Sequence, residues 1–67
     1  MEGTRSFRVL KDEISGHKIG DTVRLRFSLH IKAPHEIEIW QDPGTKYSYT
    51  DGALSGYVRD GVLLEIM

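Results

Sequence analysis

The sequence predicts an all-β fold, a small antiparallel meander or barrel of five or six strands that forms one domain over residues 1–67. The main observation is the segment 22–32, Thr-Val-Arg-Leu-Arg-Phe-Ser-Leu-His-Ile-Lys, in which apolar and polar residues alternate without a break. Such alternation is typical of a strand with one buried face. Turn-forming pairs such as Ser15-Gly16, Gly20-Asp21 and Asp51-Gly52 divide the remaining chain into short pieces. Short strands joined by tight turns, with no long helix between them, favour a meander that curls into a small barrel.

Six segments are predicted as strands from their apolar content and from the turns between them. They lie near residues 5–10, 21–32, 36–41, 46–50, 54–59 and 62–66. In the second segment, every other residue from Val23 to Ile31 is expected to face the core. The side chains between them, which include Arg24, Arg26 and His30, are expected to face solvent.

The pairing of the second and third segments is predicted from the side chains that each register brings together. A three-residue loop, Ala33-Pro34-His35, places Ile31 opposite Ile37, and it places Glu36 and Glu38 among the cationic residues of the other face. A two-residue loop places Ile31 opposite Glu36, so that both faces mix core and solvent residues. Because a slip of one residue sends a whole apolar set to the wrong face, we expect the three-residue loop.

The end of the chain is predicted to form a second hairpin. A three-residue loop, Arg59-Asp60-Gly61, with Gly61 at positive φ aligns Val58 with Val62. The final strand is then an edge of the sheet unless it pairs with the first strand or with another chain. A homo-oligomer joined through Val62 to Met67 is therefore one expectation.

Two stretches of the sequence resemble Src-homology-3-like small barrels. The stretch His17-Lys-Ile-Gly-Asp-Thr-Val-Arg-Leu-Arg26 is similar to their turn-then-strand segment, in which a Gly-Asp pair precedes an alternating strand. Gly56-Tyr57-Val58, followed by Val62 and Ile66, is similar to their closing segment. The resemblance implies a small antiparallel barrel of that type. The acidic-aromatic motif of the family is missing after the first strand, so a groove for proline-rich peptides is not expected.

Composition limits the classes of protein to which the chain can belong. Nine Lys and Arg against ten Asp and Glu give a net charge of -1, so no global field draws the molecule to nucleic acids or membranes. Cysteine is absent and the three histidines are scattered, so neither a disulfide framework nor a metal site is expected. No cofactor motif and no membrane-spanning apolar run is present. We expect a soluble, cytoplasmic protein.

The sequence favours a protein that acts by binding and not by catalysis, because no spacing places a nucleophile beside a base. We expect a small accessory subunit or an inhibitor that docks on another protein through a sheet face or an edge strand. The three-residue loop places the lone tryptophan, Trp40, on the face that bears Arg26 and His30, so we expect it to be the anchor of the interface. The predicted contact set is Arg24, Arg26, His30, Trp40, Tyr47 and Tyr49.

The alternative function is nucleic-acid binding through the same basic and aromatic residues. Arg24, Arg26 and Lys32 form a basic row, and the aromatic residues of the contact set offer rings on which bases can stack. In the expected register, Glu36 and Glu38 lie on the same face and neutralise much of this row. Protein binding is therefore the first expectation and nucleic-acid binding the second.

Overall fold

A computed structural model describes residues 3–32 and 34–66, without the side chain of Lys32. The protein is a five-stranded antiparallel sheet with one helix. The predicted all-β meander is thereby confirmed, with five strands. In chain order the elements are β1 (Thr4–Val9), β2 (Thr22–Lys32), β3 (His35–Gln41), β4 (Ser48–Tyr49), α1 (Asp51–Arg59) and β5 (Leu63–Ile66).

The sheet is open and does not close into a barrel. Its strand order is β4-β3-β2-β1-β5, so β1 to β4 follow each other as a meander and β5 returns to pair with β1. Of the two alternatives for the last strand, the pairing with the first strand is therefore formed. The outer sides of β4 and β5 remain as the two edges of the sheet.

The alternation of β2 separates two faces of the sheet that differ in chemistry. The helix face, over which α1 packs, carries the buried side chains Phe7, Val9, Val23, Leu25 and Leu63. Leu54 of α1, Ile14 of the β1–β2 loop and Val62 complete this core. The open face, on the other side of the sheet, has no element of the described chain packed over it. Arg24, Arg26 and His30 lie there and are exposed, as the sequence predicts.

The segment 54–59 is helical, so the prediction of a strand and a final hairpin there is wrong. Thr50 caps the helix by accepting a hydrogen bond from the Ala53 amide at 3.2 Å. At the other end, the Gly61 amide donates to the Val58 carbonyl and the Val62 amide donates to the Tyr57 carbonyl, which is a Schellman motif. Gly61 has the positive φ that the sequence predicts, at 75°, but it ends a helix and not a hairpin.

The register between β2 and β3 also differs from the prediction. Lys32 pairs with His35, so two residues connect the strands instead of three. Ile31 is then opposite Glu36 and Phe27 is opposite Trp40. Paired residues of a sheet share a face, so Trp40 lies on the helix face with Phe27. Ala33, part of the predicted loop, lies outside the described residues.

The outer half of the β2–β3 hairpin extends past the helix and buries little apolar surface. Ile31 is 71% exposed, although the alternation of β2 predicts it in the core. Leu29 and Ile37 are also exposed. The molecule is correspondingly elongated, with extents of 37 × 22 × 22 Å. The core therefore lies at the end of the sheet that α1 covers.

Two glycine substitutions test the helix that the sequence does not predict. Gly56 lies inside α1, where an added Cβ would be 3.9 Å from Arg59 Nη2, an ordinary contact. We expect Gly56→Ala to raise the free energy of unfolding by roughly 0.5–1 kcal/mol, because alanine loses less backbone entropy in a helix. Gly61→Ala should lower it by about 1–2 kcal/mol, because Gly61 is left-handed. Urea denaturation measures both, and equal effects of the two changes would contradict the helix and its cap.

Candidate functional site

The structure divides the predicted contact set between different parts of the molecule. Arg24, Arg26 and His30 are exposed on the open face. Trp40 and Tyr49 are paired with each other on the helix face and are half-buried. Tyr47 lies in the β3–β4 turn and is exposed. The expected surface, in which the indole anchors the arginines, is therefore not formed.

Trp40 is held at the junction of the sheet and the helix. Its ring meets the Phe27 ring edge-on, with centroids 5.4 Å apart. The indole Nε1 donates a hydrogen bond to Asp51 Oδ1 at 2.7 Å, at the first residue of α1. The guanidinium carbon of Arg5 lies 5.3 Å from the ring centroid. The Phe27 and Arg5 contacts hold the indole on the sheet, and the Asp51 bond connects it to the helix, so Trp40 has a structural role.

Arg5 joins the first strand, the last strand and the helix. It donates to both carboxylate oxygens of Glu65 at 2.9 Å, and its Nη1 lies 3.2 Å from Asp51 Oδ1. The hydrogen bonds from Arg5 lower the pKa of Glu65 below its usual value. This bidentate pair and the Trp40 bond form one polar network on the helix face. Arg5, Asp51 and Glu65 were not among the residues predicted to matter.

The tyrosines have different surroundings. Tyr49 meets Tyr57 of α1 edge-on, with centroids 6.2 Å apart, and burial raises the pKa of its hydroxyl. Tyr49 thus belongs to the border of the core. The Tyr47 side chain is exposed to solvent. Its backbone amide donates a hydrogen bond to Thr45 Oγ1 at 3.1 Å, within the β3–β4 turn. The two tyrosines do not form a pair of binding side chains.

The open face is rich in cations and, among the described side chains of the strands, has no carboxylate. Its register places Arg8 of β1 on the same face as the two arginines of β2. Glu36 and Glu38 lie on the opposite face, beside Ile31 and Leu29. The ion pairs found among the described residues involve none of these three arginines. The predicted neutralisation of the basic row is therefore wrong.

The three arginines are close neighbours. Arg24 and Arg26 are two residues apart on one strand, a separation of about 7 Å. Arg8 pairs with Thr22 and is therefore the diagonal neighbour of Arg24, also at about 7–8 Å. Arg8 was missed because its role depends on the pairing of β1 with β2, which the sequence pattern of β1 alone does not reveal. We call the three arginines, Arg8, Arg24 and Arg26, the cationic row; His30 lies further along β2 on the same face.

Aliphatic side chains flank the cationic row on both sides. Leu64 pairs with Arg8 and Ile66 pairs with Ser6, so both lie on the open face beside β1. On the other side, Ile37 pairs with His30 and Ile39 pairs with Ser28. Leu64, Ile66 and Ile37 are exposed. The open face thus combines positive charge with accessible apolar surface.

A second polar cluster fastens the β1–β2 loop to the β3–β4 turn. Asp42 is only 5% exposed; its Oδ2 lies 2.5 Å from His17 Nε2, and its Oδ1 accepts from the Gly44 amide at 2.9 Å. Burial by itself raises the pKa of Asp42, but these hydrogen bonds outweigh it and the pKa lies below its usual value. Asp21 Oδ2 is 3.8 Å from His17 Nδ1. A Cβ added to Gly16 would lie 2.6 Å from Thr45 Cγ2, so the two loops approach each other closely here.

This cluster is a contact between two loops in which His17 and the Gly44 amide share the Asp42 carboxylate. In the part of the chain that is described, no group of three or more His, Cys, Asp or Glu side chains is arranged to hold a metal ion. His17 and Asp42 satisfy each other, and no other buried side-chain nitrogen or oxygen of the described residues lacks a partner. The cluster therefore serves to hold two loops together. Sequence reasoning missed it because the two residues are 25 positions apart.

Comparisons with known proteins add no family to this picture. The chain matches no protein-family model, no curated protein and no solved structure. Within residues 3–32 and 34–66, no helix has the length and apolar character needed to cross a membrane. The candidate site is therefore defined by geometry alone, as the cationic row and its aliphatic flanks.

The two lowered carboxylate pKa values predict a stability that declines in acid. Glu65 and Asp42 both have folded-state pKa values below the ordinary values of about 4.3 and 3.9. Their contribution to the free energy of unfolding is complete above those ordinary values and is lost as the pH falls through the lowered ones. Urea denaturation between pH 6 and about pH 2 measures the decline. Glu65→Gln should reduce the slope, whereas Glu38→Gln, an exposed carboxylate of β3, serves as the control; an unchanged slope in Glu65→Gln would contradict the prediction.

Removal of His17 tests the cluster between the two loops. We expect His17→Ala to lower the free energy of unfolding by roughly 1–3 kcal/mol, because the buried Asp42 carboxylate loses a hydrogen-bond donor. His35→Ala removes an exposed histidine of β3 and should have little effect. Thermal and urea unfolding measure both variants. Equal stability of the two would show that the His17 contact contributes nothing.

Proposed function

We propose that this protein is a non-catalytic binding module that docks on an acidic surface of another protein, as a small accessory subunit or an inhibitor does. The docking surface is the open face of the sheet. The observation that carries the proposal is the cationic row, which no described carboxylate neutralises and which aliphatic side chains flank on both sides.

The mixture of residue types supports a protein as the partner. Arginine is enriched in protein interfaces, where it combines planar hydrogen bonding with an apolar stem. Leu64, Ile66 and Ile37 provide accessible apolar surface beside the arginines. A sheet face of this width and length covers on the order of 500 Å² in projection, which is comparable with the roughly 800 Å² that one partner contributes to a standard interface. Carboxylates of the partner would pair with the cationic row.

The proposed contact residues follow from the register. Arg24, Arg26 and His30 remain in the set, and Arg8 joins it. Trp40 and Tyr49 act from the other side of the sheet by holding the helix, and Tyr47 lies in the β3–β4 turn, outside the strands that carry the row. The anchor of the interface is then the cationic row and not the indole.

Nucleic-acid binding is the second candidate, and one specific observation favours it. Glu36 and Glu38, which the sequence placed among the arginines, lie on the opposite face. Phosphates could therefore approach the cationic row without repulsion from these two residues. Trp40 and Tyr49 lie on the helix face and Tyr47 lies in the β3–β4 turn, so none of the three rings is on a strand beside the arginines, and this candidate is limited to contacts with the phosphate backbone.

We infer further that the fold is an open relative of the Src-homology-3-like type. The meander of β1 to β4 and the return of the last strand to β1 support this, together with the two sequence stretches that resemble the family. A reducing compartment such as the cytoplasm is part of the proposal, because the chain has no cysteine.

A charge reversal tests the docking face. We expect Arg24→Glu with Arg26→Glu to abolish capture of a specific protein from an extract of the native host. The physical reason is that two attractive contacts become repulsive, which should weaken affinity by at least about tenfold, or roughly 1.4 kcal/mol. The matched control is Arg59→Glu, because Arg59 is 80% exposed at the end of α1 and lies away from the open face. Circular dichroism confirms that each variant is folded.

A salt titration separates the two candidate partners. Labelled single- and double-stranded oligonucleotides are titrated at low and at moderate salt, with amide chemical shifts of β2 as the readout. Phosphate binding should weaken by orders of magnitude between about 50 and 200 mM salt. Tight, salt-sensitive binding of oligonucleotides through β2 would replace the first candidate by the second. Equal capture by the reversed variant and by Arg59→Glu would reject the open face as the docking surface.

A further inference from the structure

The outer edge of β5 pairs with no other strand among the described residues, and its backbone groups follow a defined pattern. The Leu10 amide donates to the Val62 carbonyl, and in the same register Leu64 pairs with Arg8 and Ile66 pairs with Ser6. Hydrogen-bonding residues alternate along an antiparallel strand, so the amide and carbonyl groups of Leu63 and Glu65 point away from β1. β5 has β1 as its one partner strand among the described residues, and no further backbone bond there involves these four groups, although Leu63 as a whole is only 4% exposed. The edge is therefore a ready template for another strand.

The side chains of this edge favour association and do not oppose it. Leu64 is 53% exposed and Ile66 is 37% exposed, and both lie on the open face. β5 contains no lysine and no proline, the residues that most often protect an edge strand. The opposite edge, β4, has only two residues and offers far less backbone. A further strand would therefore form more backbone hydrogen bonds at β5 than at β4.

We propose that β5 pairs with β5 of a second copy of this chain, antiparallel and about a two-fold axis, to form a continuous ten-stranded sheet. The outward groups fix the register, because Leu63 must face Glu65 of the second copy and Glu65 must face its Leu63. Four backbone hydrogen bonds result. Leu64 then lies on the axis, opposite its own equivalent in a non-hydrogen-bonded pair, where side chains approach most closely.

The charges near the edge are compatible with this arrangement. The register in which Glu65 faces its own equivalent would oppose two carboxylates directly, which is unfavourable. In the proposed register Glu65 faces Leu63, and its charge is paired with Arg5 of the same chain. The two Arg8 residues are separated by three strand spacings, about 14 Å, which exceeds the Debye length of about 8 Å at physiological salt. The second copy therefore meets little repulsion.

A second copy also supplies additional stabilisation, which a domain of this size needs because its core is small. Among the residues that the structure describes, the core contains eight buried apolar side chains, and the chain has no cysteine for a disulfide. Small domains of this kind are commonly stabilised by self-association. Pairing at β5 buries Leu64 and places two copies of the open face side by side. The inference concerns β5 and stands independently of what binds the cationic row.

Single-cysteine variants test both the dimer and its register, because the chain has no other thiol. We expect Leu64→Cys to form a covalent dimer rapidly under mild oxidation, since directly opposed residues of a non-hydrogen-bonded pair are within disulfide distance. Ile66→Cys is the matched control: the two positions would be about 14 Å apart, beyond the roughly 7 Å limit between Cα atoms. Non-reducing electrophoresis follows both reactions. Equal rates in the two variants, or no crosslink in Leu64→Cys, would overturn the proposal.

Sedimentation of the unmodified chain provides the second measurement. We expect twice the monomer mass of 7.6 kDa at high protein concentration. Leu64→Lys, which places two ammonium groups at the axis, should give the monomer mass while the circular dichroism spectrum stays unchanged. Ile37→Lys, a change at an exposed aliphatic residue of β3, should leave the dimer intact. A wild-type chain that stays monomeric at every concentration would overturn the proposal, whether or not the open face binds a partner.

Discussion

The packing of Trp40 against Phe27 fixes the chemistry of both faces of the sheet. These two residues are opposite each other because only two residues connect β2 and β3. With the indole on the helix face, the glutamates of β3 are on that face too, and the arginines of β2 are left without them. A slip of one residue would move the indole to solvent and place the carboxylates among the arginines. The separation of charge in a chain of net charge -1 depends on this register.

The helix depends on the same pair of strands. Trp40 donates to Asp51 at the start of α1, and Arg5 connects that carboxylate to Glu65 of the last strand. One polar network thus joins β1, β3, β5 and the helix, while Leu54 enters the core beneath it. The bonds at Glu65 are partly exposed, so burial of the aliphatic core supplies most of the stabilisation and the network supplies orientation. The helix covers only one end of the sheet, and the other face stays accessible.

The sequence predicted much of the sheet, and its failures have physical reasons. The alternation of β2 identified the strand and its arginine face correctly, because period-two patterning is a strong local signal. The register failed because it was chosen to match Ile31 with Ile37, two residues that are exposed and contribute little burial. The helix was missed although its signals are present: Thr50 as a cap, apolar residues at 54, 57 and 58, and Gly61 as a stop. Asp51-Gly52 also has the composition of a turn, which competes with these signals. The polar network and the His17–Asp42 contact join residues distant in sequence, which no local pattern reveals.

The location of the single indole decides what optical spectroscopy can report. Trp40 lies where the sheet meets the first turn of α1, hydrogen-bonded to Asp51 and separated from the cationic row by the thickness of the sheet. Detachment of the helix would transfer the chromophore to water and shift its emission to longer wavelength. Occupancy of the arginine side would leave the spectrum nearly constant. Intrinsic fluorescence therefore reports whether α1 is packed on the sheet. An unchanged Trp40 emission during a titration does not show whether a ligand has bound to the arginines.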